Sequence, residues 1–411
     1  RRWRLAPSAP RSEPWVRRAP ALTLATAVAG YAAVTVTYAL RVPVGASADE
    51  LSHLSYAQIV ADHAALPGGS VRERQQPPLY YLLSAALLRL QAAPVTLRFL
   101  SIALGLVTIA LVARTVWHAA PGHPWLVAGT AAALALLPGF QFVSASITDD
   151  SVATAAGAFL LLVATRVARA PGPSPRLLLW VGCSIGVGLI SKETDFPLIA
   201  VLAGVVLWRW HDRLAVRDLV AAAVPVVAIA GWWYVRNVVA FHRPLPPLTP
   251  LGVPPNRLHT LGQLRVFLSQ SLQGLFTPER YQGSPLVLPT AGRALLLLLA
   301  AALLVGVAAG AVLAARAWPR WEPSPRIAAA AYALAAAGAL AVSLANAVIV
   351  VFQPQGRYLL VAVTGPLLAL VWAVGRLAPS RGWIGAASAV YVGGCVSLSI
   401  LGISSALAVA A

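Results

Sequence analysis

Two pairs of adjacent acidic residues each lie beside a long apolar run. Asp49 and Glu50 follow the first run, and Asp149 and Asp150 lie at the turn between two others. A carboxylate beside lipid is costly, so these side chains should face a polar cavity or a partner. In such a cavity a carboxylate can act as general base and take a proton from an attacking hydroxyl. The four residues are the predicted catalytic groups, with Asp49 as the first choice for the base.

Helical spacing adds a histidine to the first pair. His53 lies one helical turn after Asp49, and Glu50 lies three residues before the histidine, so the three side chains could share one pocket. In the alternative interpretation, Asp49 is only a helix N-cap and Glu50 is a solvated charge of the first turn. The sequence allows both interpretations.

Four basic residues occur at the ends of apolar runs, on the same predicted side as the acidic pairs. A departing phosphate would need such charges to stabilise it. The alternatives are contact with lipid headgroups or, for Lys192, a self-neutralising cluster with the acidic residues that follow it. We predict a substrate-binding role for Arg98, Lys192, Arg236 and Arg357.

Further polar and aromatic residues near these positions are candidates for contact with a sugar ring. They are Gln76, Tyr80, Tyr81 and Tyr358, with Trp232, Trp233 and Tyr234 as possible additions. For most of the aromatic residues the competing interpretation is a belt at the membrane interface.

The composition predicts the elements that must position these residues. The 411 residues are 59% hydrophobic and 11% charged, whereas soluble domains carry roughly 25% charged residues. Recurrent apolar runs predict an all-α, polytopic membrane protein, in which every backbone group is satisfied within a helix. About eleven spans are predicted, the first of them uncleaved: 20–41, 98–117, 125–146, 150–167, 177–191, 195–210, 217–236, 290–315, 327–350, 357–375 and 382–405.

The arginines fall in short clusters between the apolar runs, so the net charge of +18 indicates membrane orientation rather than a nucleic-acid partner. The arginine-rich loops should be cytoplasmic. The apolar segment 78–90 is too short to span and should lie at the interface. Residues 1–411 then form one transmembrane domain, whose extracytoplasmic face carries a first loop with juxtamembrane helices (43–97) and a Pro-rich loop (237–289).

Several familiar signatures are missing from the sequence. It contains no Gly-rich nucleotide loop, no HExxH and no Gly-x-Ser-x-Gly motif, which disfavours a nucleotide-dependent ATPase and a metalloprotease. Cys183 and Cys395 lie in apolar segments without ligand spacing, so neither a disulfide nor a zinc site is expected.

Taken in order, a series of short motifs resembles the GT-C superfamily of membrane glycosyltransferases. In layout the chain is similar to the protein O-mannosyltransferases, the aminoarabinose transferases of lipid A and a related bacterial membrane family. The motifs are 48–53 (ADELSH), 76–81 (QPPLYY), Arg98, 149–150 (DD), Lys192, 231–237 (GWWYVRN) and 355–358 (QGRY).

The resemblance implies a catalytic or metal-binding acid in the first external loop, a second acidic site in a later one, and basic residues that bind a lipid phosphate. These roles fall on Asp49 or Glu50, on Asp149 or Asp150, and on the cations. The implied partners are a polyprenyl-phosphate-linked sugar, a glycan, lipid or protein acceptor, and membrane lipids. A divalent metal ion is left open, and Gln75-Gln76 stands where some relatives carry a histidine before Pro-Pro.

Three functions fit these residues. The first is a glycosyltransferase of the cell membrane that moves a sugar from a polyprenyl phosphate to an acceptor hydroxyl on the extracytoplasmic face. The second is a lipid or polysaccharide transporter, which would place charges along a path across the bilayer. The third is a non-catalytic scaffold of the same fold.

Overall fold

The computed structural model describes residues 14–68, 71–246, 257–278 and 288–410, and these form sixteen α-helices with short 3-10 turns and no β-strand. This matches the predicted all-α class. The helices are α1 (Pro14–Arg41), α2 (Glu50–His63), α3 (Leu79–Arg89), α4 (Val95–Ala119), α5 (Pro124–Ala135), α6 (Pro138–Ser144), α7 (Asp150–Arg169), α8 (Pro175–Ser191), α9 (Phe196–Trp210), α10 (Val216–Val226), α11 (Trp232–Phe241), α12 (Leu261–Gly274), α13 (Thr290–Ala317), α14 (Pro323–Ile349), α15 (Thr364–Leu377) and α16 (Arg381–Ala410).

Within the described ranges, seven helical segments are long and apolar enough to cross a membrane, and counting each of two bent pairs as one span raises the number to nine. All eleven predicted spans contain helix. The remaining two, α8 and α9, have only 17 and 15 residues, fewer than the ~20 that an untilted crossing needs. The predicted count of eleven therefore depends on these two short helices.

Breaks in the spans occur where the sequence disfavours a continuous helix. Helices α5 and α6 meet at an angle of 63° just before Pro138, because a proline restricts the residue before it to extended conformations. A 3-10 turn over Gly356–Ala362 joins α15 at 76°. Helices α10 and α11 are joined by a π-helical turn, Val227–Gly231, of the kind often found at functional sites.

Helix α7 lies at the centre of the bundle and is buried along nearly its whole length. It packs against α4, α8, α9 and α14, and against the 356–362 turn. Gly157 allows a close contact with the 356–362 turn, since a Cβ there would lie 2.4 Å from the Val361 carbonyl oxygen. This close approach places the turn that carries Arg357 beside the first residues of α7.

The arginine-rich connections and the acidic pairs lie at opposite ends of α7. At the C-terminal end, Arg169 donates to the Ala119 carbonyl at 3.1 Å and Arg209 donates to the Ala168 carbonyl at 3.3 Å. The acidic pairs lie at the other end, about 30 Å away over the 20 residues of α7. The arginines at positions 1, 2, 4 and 11 lie outside the described residues.

Short helices cover the acidic end of the bundle. Helix α3 has 11 residues and rises about 16 Å, too little to cross ~30 Å of hydrocarbon. In the Pro-rich segment 237–289, α12 begins with a capping box between Thr260 and Gln263. Five prolines of this segment, at 247, 250, 254, 255 and 285, lie outside the described residues.

Candidate active site

Lys192 joins the second acidic pair. Its Nζ donates to Oδ1 of Asp149 and to Oδ1 of Asp150, each at 2.6 Å. Asp150 is the first residue of α7, Asp149 precedes it, and Lys192 directly follows the end of α8. All three side chains are almost fully buried, so packing of α7 against α8 fixes the two carboxylates around one ammonium group.

Arg357 connects this pair to the first acidic pair. Its Nη2 donates to Asp49 Oδ2 at 2.7 Å, and its Nε lies 3.3 Å from Asp150 Oδ2. Gln355 also accepts from the guanidinium Nε, at 3.0 Å. Asp49, Asp150 and Arg357, with Lys192 and Asp149, thus form one connected set of charges, called here the aspartate network.

Asp49 is the most accessible carboxylate of the aspartate network. Its side chain is 20% exposed, against 0% for Asp149 and 3% for Asp150. Asp49 stands at the N-cap position of α2 with a left-handed backbone (φ 57°), and its side chain makes no capping hydrogen bond. The alternative that this carboxylate only caps a helix is therefore wrong.

The charges of the network set the protonation of its outer members. Burial alone would raise the pKa of the Asp49 carboxyl, but Arg357, aided by His53, outweighs burial and holds that pKa below its ordinary value. Burial alone would lower the pKa of the Lys192 ammonium, and Asp149 and Asp150 instead raise it well above its usual range. The resting site therefore holds an ionised Asp49 and a charged lysine.

His53 extends the network towards α3. Its Nδ1 is hydrogen-bonded to the Tyr81 hydroxyl at 2.8 Å, while its Nε2 lies 3.8 Å from Asp149 Oδ1. The Tyr81 ring stacks on Tyr56 with centroids 3.6 Å apart. The hydrogen bond from the stacked Tyr81 orients the imidazole so that its Nε2 faces the Asp149 carboxylate.

Glu50 and Arg98 do not join the aspartate network, although the sequence grouped Glu50 with Asp49 and His53. Arg98 donates to the two Glu50 oxygens at 2.7 and 2.8 Å, and both side chains are fully buried. Glu50 also accepts from the backbone N–H groups of Gly45 and Ile147. The expected shared pocket of three residues is thus wrong, because the left-handed backbone at Asp49 turns the two neighbouring carboxylates apart.

Lys192 likewise corrects one interpretation. The alternative of a self-neutralising cluster within residues 192–195 is wrong, because the ammonium bonds to Asp149 and Asp150 rather than to the acidic residues that follow it. Asp195 is fully buried, and neither of its carboxylate oxygens has a hydrogen-bond partner among the described residues.

The other predicted binding residues surround the network at different distances. The Tyr358 ring lies below both cations, 5.6 Å from Lys192 Nζ and 5.6 Å from the Arg357 guanidinium carbon. Gln76 donates to Glu73 at 3.1 Å, and its backbone carbonyl accepts from the Tyr56 hydroxyl at 3.4 Å. Tyr80 points the other way and is hydrogen-bonded to Ser101 within the core.

Arg236 lies in a separate basic patch that also contains Arg74. Both guanidinium groups approach the Phe241 ring, at 5.0 Å for Arg236 and 6.0 Å for Arg74. Arg236 donates to the Pro67 carbonyl, and the buried Arg74 Nε has no hydrogen-bond partner among the described residues. Sequence reasoning missed Arg74, although a cation on the side that positive-inside statistics disfavour was a usable signal.

The side chains of the site do not fit a divalent metal ion, which the resemblance left open. Among the described residues, no three His, Cys, Asp or Glu side chains are grouped so that they could hold an ion. The Lys192 ammonium takes the position between Asp149 and Asp150 that a cation would need.

We compared the chain with known protein families, curated sequences and solved structures. Residues 75–234 match the family model described as dolichyl-phosphate-mannose-protein mannosyltransferase, a match over less than half of the chain. Among curated protein sequences no match is found.

Three solved structures share the fold at low sequence identity. ArnT from Cupriavidus metallidurans in the apo state is 15% identical with a TM-score of 0.57, and ArnT bound to undecaprenyl phosphate is 16% identical with a TM-score of 0.55; each alignment covers 96% of this chain and 75% of ArnT. The Archaeoglobus fulgidus oligosaccharyltransferase, tethered to an acceptor peptide containing the NVT sequon, is 14% identical with a TM-score of 0.54, over 96% of this chain and 56% of its own. The chain is a multi-pass membrane protein with the GT-C fold.

Proposed function

We propose that the chain is an inverting glycosyltransferase that takes a sugar from a polyprenyl phosphate and transfers it to an acceptor hydroxyl on the extracytoplasmic face. The observation that carries this proposal is the aspartate network, in which Asp49 is ionised, partly exposed and held by Arg357. The family match and the undecaprenyl phosphate bound to ArnT support a lipid-linked donor.

Asp49 acts as the general base. As the acceptor oxygen attacks the anomeric carbon, its proton passes to the Asp49 carboxylate. The bond from the anomeric carbon to the phosphate oxygen breaks, and its electron pair leaves with the polyprenyl phosphate. One displacement inverts the anomeric centre and needs one base, so Asp149 and Asp150 need not take the proton.

Lys192 and Arg357 hold the base in place and supply positive charge near the reacting centre. Both cations are almost fully buried, where an ion interacts more strongly than it does in water. Because the Lys192 ammonium is bonded to Asp149 and Asp150, the guanidinium of Arg357 is the cation next to Asp49.

The basic patch of Arg74 and Arg236 binds the lipid phosphate. Two guanidinium groups beside one ring suit the two or three negative oxygens of a phosphate. Arg236 interacts electrostatically with Tyr56, Tyr56 stacks on Tyr81, and the Tyr81 hydroxyl is hydrogen-bonded to His53. The patch therefore lies on the α2–α3 side of the aspartate network.

The transporter alternative has less support. Transport would need charged groups at several depths along a path across the bilayer, whereas the network is confined to one end of α7. Movement of a labelled polyprenyl lipid across proteoliposomes without any glycosyl transfer would favour that alternative.

The proposal is tested with purified protein and radiolabelled undecaprenyl-phosphate mannose or arabinose. Asp49→Asn should lower kcat by about 10²–10⁴-fold, because the reaction loses its general base, while donor binding persists. Arg236→Gln should instead weaken donor binding about tenfold or more, which corresponds to one lost charge-assisted hydrogen bond.

The matched control for the base is Asp62→Asn, an exposed aspartate near the end of the same helix. It should transfer sugar at the wild-type rate. Undiminished transfer by the Asp49→Asn protein would show that Asp49 is not the base. Donor binding by the Arg236→Gln protein as tight as that of the wild type would show that the basic patch does not bind the donor phosphate.

A further inference from the structure

Four basic side chains gather at the end of α7 that lies opposite the aspartate network. On α4, Arg114 and His118 lie one helical turn apart, and on α7 the same holds for Arg166 and Arg169. The two helices pack against each other, and Arg169 donates to the carbonyl of Ala119, the last residue of α4, at 3.1 Å. The His118 ring interacts electrostatically with all three arginines. These four basic residues are called here the α4–α7 cluster.

The positive charge of the α4–α7 cluster is not balanced within the described part of the chain. None of its three arginines forms an ion pair with a described carboxylate. The guanidinium groups of Arg114 and Arg166 also make no hydrogen bond to another described residue. The C-termini of α4 and α7 contribute about half a negative charge each, so about two positive charges remain. The cluster therefore suits an anionic ligand.

The cluster opens towards lipid rather than into the bundle. Apart from its last residue, α7 is buried except at Phe159 and Arg166, which lie two helical turns apart and therefore on one face. The Phe159 ring packs edge-on against Trp180 of α8, a side chain that is 37% exposed at the outer surface. On α4, the neighbouring Trp117 is 49% exposed, as is common for tryptophan at the level of lipid headgroups.

The depth of Arg114 favours a lipid phosphate over a soluble anion. This arginine lies about 8 Å before the end of the apolar helix Val95–Ala119. A guanidinium at that depth is costly beside lipid tails unless it meets an opposite charge, and its long side chain can extend to the phosphates of the headgroups. A lipid that brings its own phosphate to this level meets that need.

We infer that the α4–α7 cluster binds the phosphate of an anionic phospholipid in the membrane leaflet opposite the aspartate network. Arg114 and Arg166 donate to the phosphate oxygens, as basic sites between transmembrane helices do. The bound lipid joins α4 to α7 at the end away from the reacting groups. It is therefore a structural ligand and not the sugar donor.

Lipid binding tests the site without a sugar donor, so the result is independent of the transferase proposal. Native mass spectrometry of the detergent-solubilised protein measures its affinity for phosphatidylglycerol and for phosphatidylcholine with the same acyl chains. The wild-type protein should bind phosphatidylglycerol about tenfold more tightly or better. The double variant Arg114→Gln with Arg166→Gln should weaken phosphatidylglycerol binding about tenfold or more, because it removes charge-assisted hydrogen bonds, and should leave phosphatidylcholine binding unchanged.

The matched control is Arg217→Gln with Arg316→Gln, two exposed arginines on α10 and α13. It removes the same charge outside the cluster and should keep the wild-type preference. An equal loss in both double variants would show a general attraction of charge and overturn the site. Because Arg114 is exposed, Arg114→Gln alone tests the site even if the double variant does not fold.

Inorganic phosphate separates a lipid site from a site for soluble anions. At millimolar concentration it should leave the bound phosphatidylglycerol in place, because the cluster lies at the depth of the headgroups. Displacement of the lipid by inorganic phosphate would overturn the assignment to a lipid. A wild-type protein without preference for phosphatidylglycerol would overturn it as well.

Discussion

Asp49 and Glu50 are neighbours in the chain, and the structure gives them opposite surroundings. Glu50 is fully buried and accepts four hydrogen bonds, two from Arg98 and one each from the backbone N–H groups of Gly45 and Ile147. Asp49 is 20% exposed, and among the described residues its carboxylate accepts from Arg357, at 2.7 Å. A carboxylate has about four acceptor sites, so Glu50 is saturated while Asp49 retains room for a substrate hydroxyl.

The difference shows which carboxylate can take part in chemistry and which one builds the site. Arg98 also donates to the carbonyls of Ala39, Val42 and Pro43. The Glu50–Arg98 pair therefore ties the end of α1 and the start of α2 to α4. Asp49 directly precedes Glu50, so the Glu50–Arg98 pair also determines where the Asp49 carboxylate lies relative to Arg357.

The largest effect should follow from breaking the saturated pair. Arg98→Met leaves Glu50 charged and buried without its partner, which should cost about 3–5 kcal/mol of unfolding free energy. Thermal unfolding in detergent measures the loss, with Arg114→Met, an exposed site on the same helix, as the control. The double variant Glu50→Leu with Arg98→Met should regain much of that loss. Equal stability of Arg98→Met and Arg114→Met proteins would contradict the structural role of the pair.

An intermediate effect is expected at the open carboxylate. Arg357 lowers the pKa of Asp49, so the base form persists into acid, and its contribution to stability is lost only as the pH falls through that lowered pKa. Arg357→Gln should raise the pKa of Asp49 and shift the acid limb of the kcat profile to higher pH. The matched control is Arg376→Gln, an exposed arginine at the far end of α15. An unmoved acid limb would mean that Asp49 does not control the rate.

The smallest effect should come from the imidazole. Tyr81→Phe removes the hydroxyl bonded to His53 and keeps the stacking on Tyr56. One neutral hydrogen bond is worth about 0.5–1.5 kcal/mol, so kcat should fall roughly two- to tenfold. Tyr80→Phe is the control, since its hydroxyl bonds to Ser101 in the core. A matching fall in both variants would show a packing effect rather than orientation of the histidine.

The sequence predicted much of this site because the cost of charge beside lipid restricts where carboxylates and cations can lie. Asp49, Asp149, Asp150, Lys192 and Arg357 were expected on one side of the membrane, and the structure brings them into one network. The all-α class followed from the apolar runs in the same way.

The different roles of Asp49 and Glu50 could not be predicted from the sequence. They depend on a positive φ at Asp49, which aspartate tolerates better than most residues but which no local pattern announces. Arg98 was predicted to bind substrate from its place at the end of an apolar run, whereas its buried guanidinium pairs with Glu50. The predicted count of eleven spans depends on α8 and α9, which are shorter than the usual crossing length.

The π-helical turn at Val227–Gly231 has a consequence for how related chains can diverge. Such a turn contains one residue more than an α-turn, so each later position is rotated by about 100° from the register of an uninterrupted helix. Losing a single codon there would swing Arg236 away from Pro67, to which it now donates. Deletion at this point, more than any substitution nearby, would redirect the arginine while the hydrophobic surface towards lipid kept its composition.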